Sequence, residues 1–181
     1  AELHVAMKLY VNKLWLERVH KALPTTTQEL RDLLLAFKEQ DANGNGDPND
    51  EIPLSADWDS YKMSLYGAFG LANRGYHNET IDCDPATGEP RFIEGSEAYQ
   101  HFLRYTRDLY ADGLLDKAVF DIGTEQMMGY VAADRVGVIA FTNLALLPAD
   151  KVGDWVAVEE ALAGPGGDKM WSAIRANFHS T

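Results

Sequence analysis

Hard oxygen donors recur at alternate positions in the stretch Asp41-Ala42-Asn43-Gly44-Asn45-Gly46-Asp47-Pro48-Asn49-Asp50-Glu51-Ile52. Calcium takes about six to eight such oxygens, drawn from carboxylates, amide carbonyls, backbone carbonyls and water. A tight loop brings alternate side chains to one point when a residue near its middle turns sharply, and Gly46 stands there. Asp41, Asn43 and Asn45 fill the alternating positions, and the backbone carbonyl of Asp47 follows them.

The closing carboxylate departs from the EF-hand pattern. An EF-hand places Glu at its position 12, and Ile52 stands there instead. Asp50 and Glu51 come earlier, and Pro53 biases Ile52 to an extended backbone, so no exit helix follows directly. Asn, Asp and Gly also suit a solvated acidic turn that binds nothing. Against that reading, no Lys or Arg lies between Lys38 and Lys62, so the acids Asp41, Asp47, Asp50, Glu51, Asp57 and Asp59 repel one another unless a cation relieves them. Calcium binding is the stronger reading, and a mobile EF-hand sensor is excluded for want of a second helix.

Elements must position that loop. The 181 residues fit one domain or one lobe, with 46% hydrophobic residues and enough chain to own a core. A net charge of −12 excludes nucleic acid as a partner and disfavours anionic membranes. The single cysteine, Cys83, excludes an internal disulfide and reads as a packed thiol. No stretch reaches the ~18 consecutive apolar residues of a membrane span, and the N-terminus lacks a signal-peptide pattern.

The apolar positions from Leu9 to Val19 suit a helix with a buried face. Thr26-Thr27-Gln28-Glu29 reads as a capping box opening a helix to Gln40, with Leu30, Leu33, Leu34 and Phe37 on its inner stripe. Residues Asp57 to Ser60 offer N-caps for a helix through Leu71, and Thr80 to Ile93 suit a hairpin around Asp84-Pro85-Ala86-Thr87-Gly88. Ser96 caps a helix to Asp112 that ends at Gly113, with Tyr99, Phe102, Leu103, Thr106, Leu109 and Tyr110 expected inside. A helix over Thr124–Ala133, a buried strand over Val136–Phe141 and a last strand over Asp154–Val158 follow. Gly164-Pro165-Gly166-Gly167 marks a loop, and Lys169 to Phe178 suit a short helix. The fold class is α/β with helices outnumbering strands, as one lobe over residues 1–165 and a tail or return segment over 166–181.

With the loop in place, neighbouring residues resemble a known family. Leu9-Tyr10-Val11-Asn12-Lys13-Leu14-Trp15-Leu16, then Pro24-Thr25-Thr26, then the acidic loop running into Asp50-Glu51-Ile52-Pro53-Leu54, resembles the family 1 extracellular solute-binding proteins of bacterial ABC sugar importers. Gly67-Ala68-Phe69-Gly70 and Leu109-Tyr110-Ala111-Asp112-Gly113-Leu114-Leu115-Asp116 fit the same family, and the order is preserved. The resemblance implies one lobe of a type II periplasmic-binding-protein-like fold, entered after a first hinge crossing and left near the return. It implies a sugar or oligosaccharide ligand, ABC permease subunits and a second lobe as partners, an extracytoplasmic lipoprotein and no catalysis. It also carries over Asp41, Asn43, Asn45, Asp47, Asp50 and Glu51 as ligands of a structural Ca2+, although family loops have one residue fewer before Asp50-Glu51.

Trp58, Tyr61, Trp171 and Tyr76 sit in or beside loops and could stack on a sugar, with Trp58 the best single candidate; core packing is the alternative use of each. His4, His20, His77, His101 and His179 lack metal-ligand spacing. No carboxylate pair is singled out for glycosidase chemistry. A secreted calcium-dependent carbohydrate hydrolase fragment and a structural or adhesion module remain the alternatives.

Overall fold

The computed structural model describes residues 7–47, 49–72 and 80–171. In chain order they form β1 (Lys8–Asn12), α1 (Lys13–Arg18), α2 (Thr27–Glu39), β2 (Ile52–Ser55), α3 (Trp58–Leu65), β3 (Ile81–Cys83), β4 (Pro90–Phe92), α4 (Glu97–Ala111), α5 (Thr124–Ala132), β5 (Val136–Phe141) and β6 (Trp155–Ala157). A four-stranded sheet takes the order β2-β5-β1-β6, and β3 and β4 make a separate hairpin. β2 runs parallel to β5, whereas β1 runs antiparallel to both β5 and β6. The described residues therefore form an α/β fold with a mixed sheet, helix-rich in residues although its five α-helices are fewer than its six strands, where helices were expected to outnumber strands.

Both faces of the central strands are covered. Leu9 and Val11 of β1 join Val138 and Ala140 of β5 in one core, with Trp15, Leu30, Leu34 and Phe37. Tyr10, Ile139 and Phe141 point into a second core with Met127, Val131 and Trp155. A strand buried on both sides shows no polar alternation. That is why Leu9–Asn12, expected as the start of a helix, is instead a strand. The helix begins only at Lys13, where the buried Asn12 Oδ1 accepts from the Leu14 and Trp15 amides at 3.0 and 3.3 Å.

Other expectations need smaller changes. The Thr26 hydroxyl accepts from the Glu29 amide, but the Glu29 carboxylate reaches back to the Thr25 amide and hydroxyl, both at 2.7 Å. Asp57 caps α3, which tightens into a 3₁₀ turn over Tyr66–Phe69 and stops at left-handed Gly70. The hairpin and α4 stand where the sequence places them, except that Leu103 and Tyr110 are exposed. The stripe of α4 is Phe102, Thr106 and Leu109, and each outlier lies one residue past it. Lys169–Trp171 are not helical, and the remainder of that expected helix lies outside the described residues. The 164–170 segment packs against the 3₁₀ turn so closely that a side chain on Gly67 would collide with the Met170 carbonyl.

Gly137 marks the tightest contact of the sheet. A methyl group there would sit 2.5 Å from Phe37 Cδ2 and 2.6 Å from Trp15 Cε3, and these two buried rings meet edge to face with centroids 5.3 Å apart. Gly137→Ala overpacks that junction, and denaturant unfolding is expected to show a loss of about 1–3 kcal/mol.

Candidate functional site

Helix α2 delivers the chain into the acidic loop, and β2 carries it away. Within the loop the side chains organise the backbone around themselves. The Asp41 carboxylate accepts from the Asn45 and Gly46 amides at 3.0 and 2.9 Å. Asn43 Oδ1 accepts from the Asn45 amide at 2.9 Å, and Asn45 Oδ1 from the Asp47 amide at 2.7 Å. Both Gly44 and Gly46 are left-handed, with φ of 76° and 91°, so the loop turns twice where the sequence reading placed one turn.

Asp50 comes inward from the exit side. Its two carboxylate oxygens accept from Asn43 Nδ2 at 2.9 Å and Asn45 Nδ2 at 3.0 Å. Asn43, Asn45 and Asp50 are thus brought together. Asp47 turns away, with its carboxylate accepting from the Asn49 amide. Glu51 Oε1 accepts from the Ala42 amide at 3.1 Å, whereas the buried Oε2 has no hydrogen-bond partner. Desolvation raises the Glu51 pKa above the ordinary carboxylate range, and the neighbouring Asp50 charge adds to the rise. Among the described residues no three His, Cys, Asp or Glu side chains form a ready metal cluster. The donor set could hold a hard cation only if amide and backbone oxygens join the carboxylates.

The acids are not left without cations. Arg18 donates to the Ala42 and Asn43 carbonyls at 2.9 and 2.6 Å, and Arg135 lies 3.7 Å from the Asp50 carboxylate. Neither lies within the loop sequence, so the absence of basic residues between Lys38 and Lys62 overstated the repulsion. No spacing rule could have found them.

A second group of residues gathers at the opposite end of β2. Because β2 and β5 are parallel and Lys8 pairs with Phe141, one edge of the sheet holds the carboxyl ends of β2 and β5 and the start of β1. Ligands of open α/β sheets bind outside the carboxyl ends of strands. Trp58 opens α3 at that edge. Tyr61 does not face solvent: it is 0% exposed, its ring stacks under Trp58 at 5.8 Å and its hydroxyl donates to Thr106 at 3.1 Å. Burial pushes its pKa up. As a sugar-contacting residue Tyr61 is therefore withdrawn, since three residues along α3 from Trp58 its side chain is fully buried in the core.

Beside Trp58 an exposed ring is instead supplied by Phe120, which the sequence offers no reason to single out. It is 65% exposed, and its ring lies 5.2 Å from Trp58 and 6.1 Å from the partly exposed Tyr110. The segment that carries it is anchored: Asp116 donates its amide to the Leu54 carbonyl at 2.8 Å, and its carboxylate accepts from the Ser55 hydroxyl at 2.7 Å and the Ala118 amide at 3.0 Å. Nothing in Asp116-Lys117-Ala118-Val119-Phe120 distinguishes the exposed Phe120 from the buried Val119. Trp171 reaches the same edge from its far side, where the Lys8 ammonium lies 5.7 Å from its ring centre. Tyr76 lies outside the described residues.

No family model matches the chain. It is 33% identical over 115 residues to the fructooligosaccharide ABC transporter substrate-binding protein FusA of Streptococcus pneumoniae, covering 62% of this chain and 20% of that protein. It is 27% identical over 175 residues to the lipoprotein LipO of Bacillus subtilis, covering 87% and 32%. The structure of FusA in complex with kestose superposes with a TM-score of 0.75 at 27% identity, over 94% of this chain and 34% of that one. The chain is a homologue of ABC-transporter substrate-binding proteins. It spans between a fifth and a third of the length of the curated relatives it matches. A FusA form described as an EF-hand mutant, in complex with fructo-nystose, fits equally well at 26% identity. An extracellular solute-binding protein of Bifidobacterium longum subsp. infantis, at 21% identity and a TM-score of 0.76, shares the fold. FusA is named as an ABC-transporter substrate-binding protein and the Bifidobacterium neighbour as an extracellular solute-binding protein.

The orphan oxygen of Glu51 yields a test within this substrate-binding-protein relative. Glu51→Gln removes a charge held out of water, so melting in the presence of a chelator is expected to rise, by up to about 1 kcal/mol of added stability. An unchanged or lower melting temperature in chelator would mean that the carboxylate is adequately solvated.

Proposed function

We propose that this chain is the carbohydrate-binding lobe of an extracytoplasmic, non-enzymatic ABC-transporter solute-binding protein. The observation that carries the reading is the anchored, exposed Phe120 ring beside Trp58 at the carboxyl end of β2. An apolar sugar face can lie on such rings while hydroxyls find nearby polar groups such as Asp57 and Asp59. A second lobe would close over the edge by a hinge motion, and a permease would receive the loaded form. Kestose and fructo-nystose, the ligands of the FusA complexes, make a neutral oligosaccharide the first ligand to try. In protein carrying both lobes, Phe120→Ala and Trp58→Ala are each expected to weaken oligosaccharide binding about tenfold by calorimetric titration. Undiminished binding in both variants would remove the edge from the site. The isolated lobe should bind weakly or not at all.

A structural calcium ion in the acidic loop is the second part of the reading. Asp41, Asn43, Asn45, the Asp47 carbonyl, Asp50 and Glu51 would hold it, and the buried unpartnered Glu51 Oε2 supports that donor set. When bound, the ion supplies positive charge to a group of acids. The protein's own residues fix the turn and join α2 to β2. Calcium at one hundred times its dissociation constant adds about 2.7 kcal/mol by mass action. Melting is therefore expected several degrees higher in calcium than in chelator, and Glu51→Gln should shrink the difference. No shift in the wild-type protein would return the loop to a plain acidic turn.

A further inference from the structure

We propose that Arg18 is a positioning residue that holds the acidic loop in its ion-ready shape before any ion arrives, an inference that rests on the calcium reading above. Arg18 is the last residue of α1, a helix fixed by the buried Asn12 cap at one end and by the buried Trp15 and Leu16 along its side. Its guanidinium therefore projects from a rigid support. One nitrogen, Nη1, bridges two consecutive carbonyls, those of Ala42 and Asn43, at 2.9 and 2.6 Å. These carbonyls lead into the first turn of the loop at Gly44, and turning them toward Arg18 leaves the Asn43 side chain facing Asn45 and Asp50.

Gly44 records how close the guanidinium comes. A Cβ there would sit 3.0 Å from Arg18 Cζ and Nε, and the residue is also left-handed at φ 76°. The loop thus uses its first glycine to admit a cation from outside and its second, Gly46, to turn over open space. At the exit, Arg135 donates to the Asp50 carbonyl through Nε and Nη2, both at 3.3 Å, and so secures the other side. Arg135 also pairs with the Asp50 carboxylate and would compete with a bound ion. Arg18 touches carbonyls alone among the loop's described contacts, which makes it the cleaner test.

The sign of the effect separates bracing from plain electrostatics. A guanidinium acting only as a nearby positive charge repels calcium, so its removal would tighten binding. A guanidinium acting as a brace lowers the cost of ordering the loop, so its removal weakens binding. Residues that orient metal ligands from outside the coordination shell change affinity by about 10–100-fold when removed.

The experiment uses the full chain, with calcium titrated by calorimetry and amide hydrogen exchange followed in chelator. Arg18→Met is expected to lower calcium affinity about tenfold and to speed exchange at the Asn45 and Gly46 amides without the ion. Arg18→Lys, which keeps the charge and a donor on a shorter arm, should recover part of both and serves if Arg18→Met does not fold. Unchanged exchange in chelator, or affinity that is unchanged or tighter, overturns the brace. Wild-type protein that fails to bind calcium overturns the calcium reading and with it the ion-ready role, and that outcome is visible before any variant is made.

Discussion

Burial of β1 and β5 on both faces is the constraint from which the rest of the fold follows. Leu9, Val11, Val138 and Ala140 demand cover on one side, and Tyr10, Ile139 and Phe141 demand it on the other. Helices α1 and α2 cover one face, and the α5 region covers the second. With its faces taken, the sheet can offer a partner only its strand ends and edges. The two groups of residues that could act chemically lie at those ends. The acidic loop enters the amino end of β2, and the Trp58–Phe120 pair stands beyond its carboxyl end.

This geometry links the two groups through one short strand. Ile52–Ser55 is four residues long, and at about 3.3 Å per residue it separates loop from aromatic edge by little more than 13 Å. Its carboxyl end is also the anchor of the Phe120 segment, through the Leu54 carbonyl and the Ser55 hydroxyl. Anything that fixes the loop therefore fixes the strand, and the strand fixes both aromatic side chains. A calcium ion in the loop, on the proposed reading, would act on the sugar edge without touching the sugar. On that reading the loop is a brace for the strand that positions the edge.

Much of this was legible in the chain. Elements with a strong signature read correctly: the α2 stripe, the Asp57 and Ser96 caps, the hairpin turn and the apolar run of β5. The failure at Leu9–Asn12 has a definite physical source, because a strand buried on both faces loses the alternation that separates it from a helix. The errors at the site are of another kind. Tyr61 was expected near the surface and is buried, and Phe120, which was passed over, is exposed, because exposure depends on which way a helix and a tethered loop face, and composition holds no record of that. Arg18 and Arg135 lie 23 residues before Asp41 and 84 after Glu51 in the numbering, so only the folded chain brings them to the acids.

Charge is arranged unevenly, and the arrangement bears on the class of ligand. The net charge of −12 is spread over a chain whose Trp58–Phe120 edge carries Asp57, Asp59, Asp116 and Glu159. Lys62 pairs with Asp59 at 2.9 Å, and Lys8 lies 3.9 Å from Glu159, so these two cations are already engaged by acids. An acidic saccharide would meet repulsion there with no uncommitted cation among these residues to offset it. A neutral sugar would meet aromatic faces and carboxylate acceptors for its hydroxyls, at no electrostatic cost. Within the proposed function, the edge therefore selects by charge before it selects by shape.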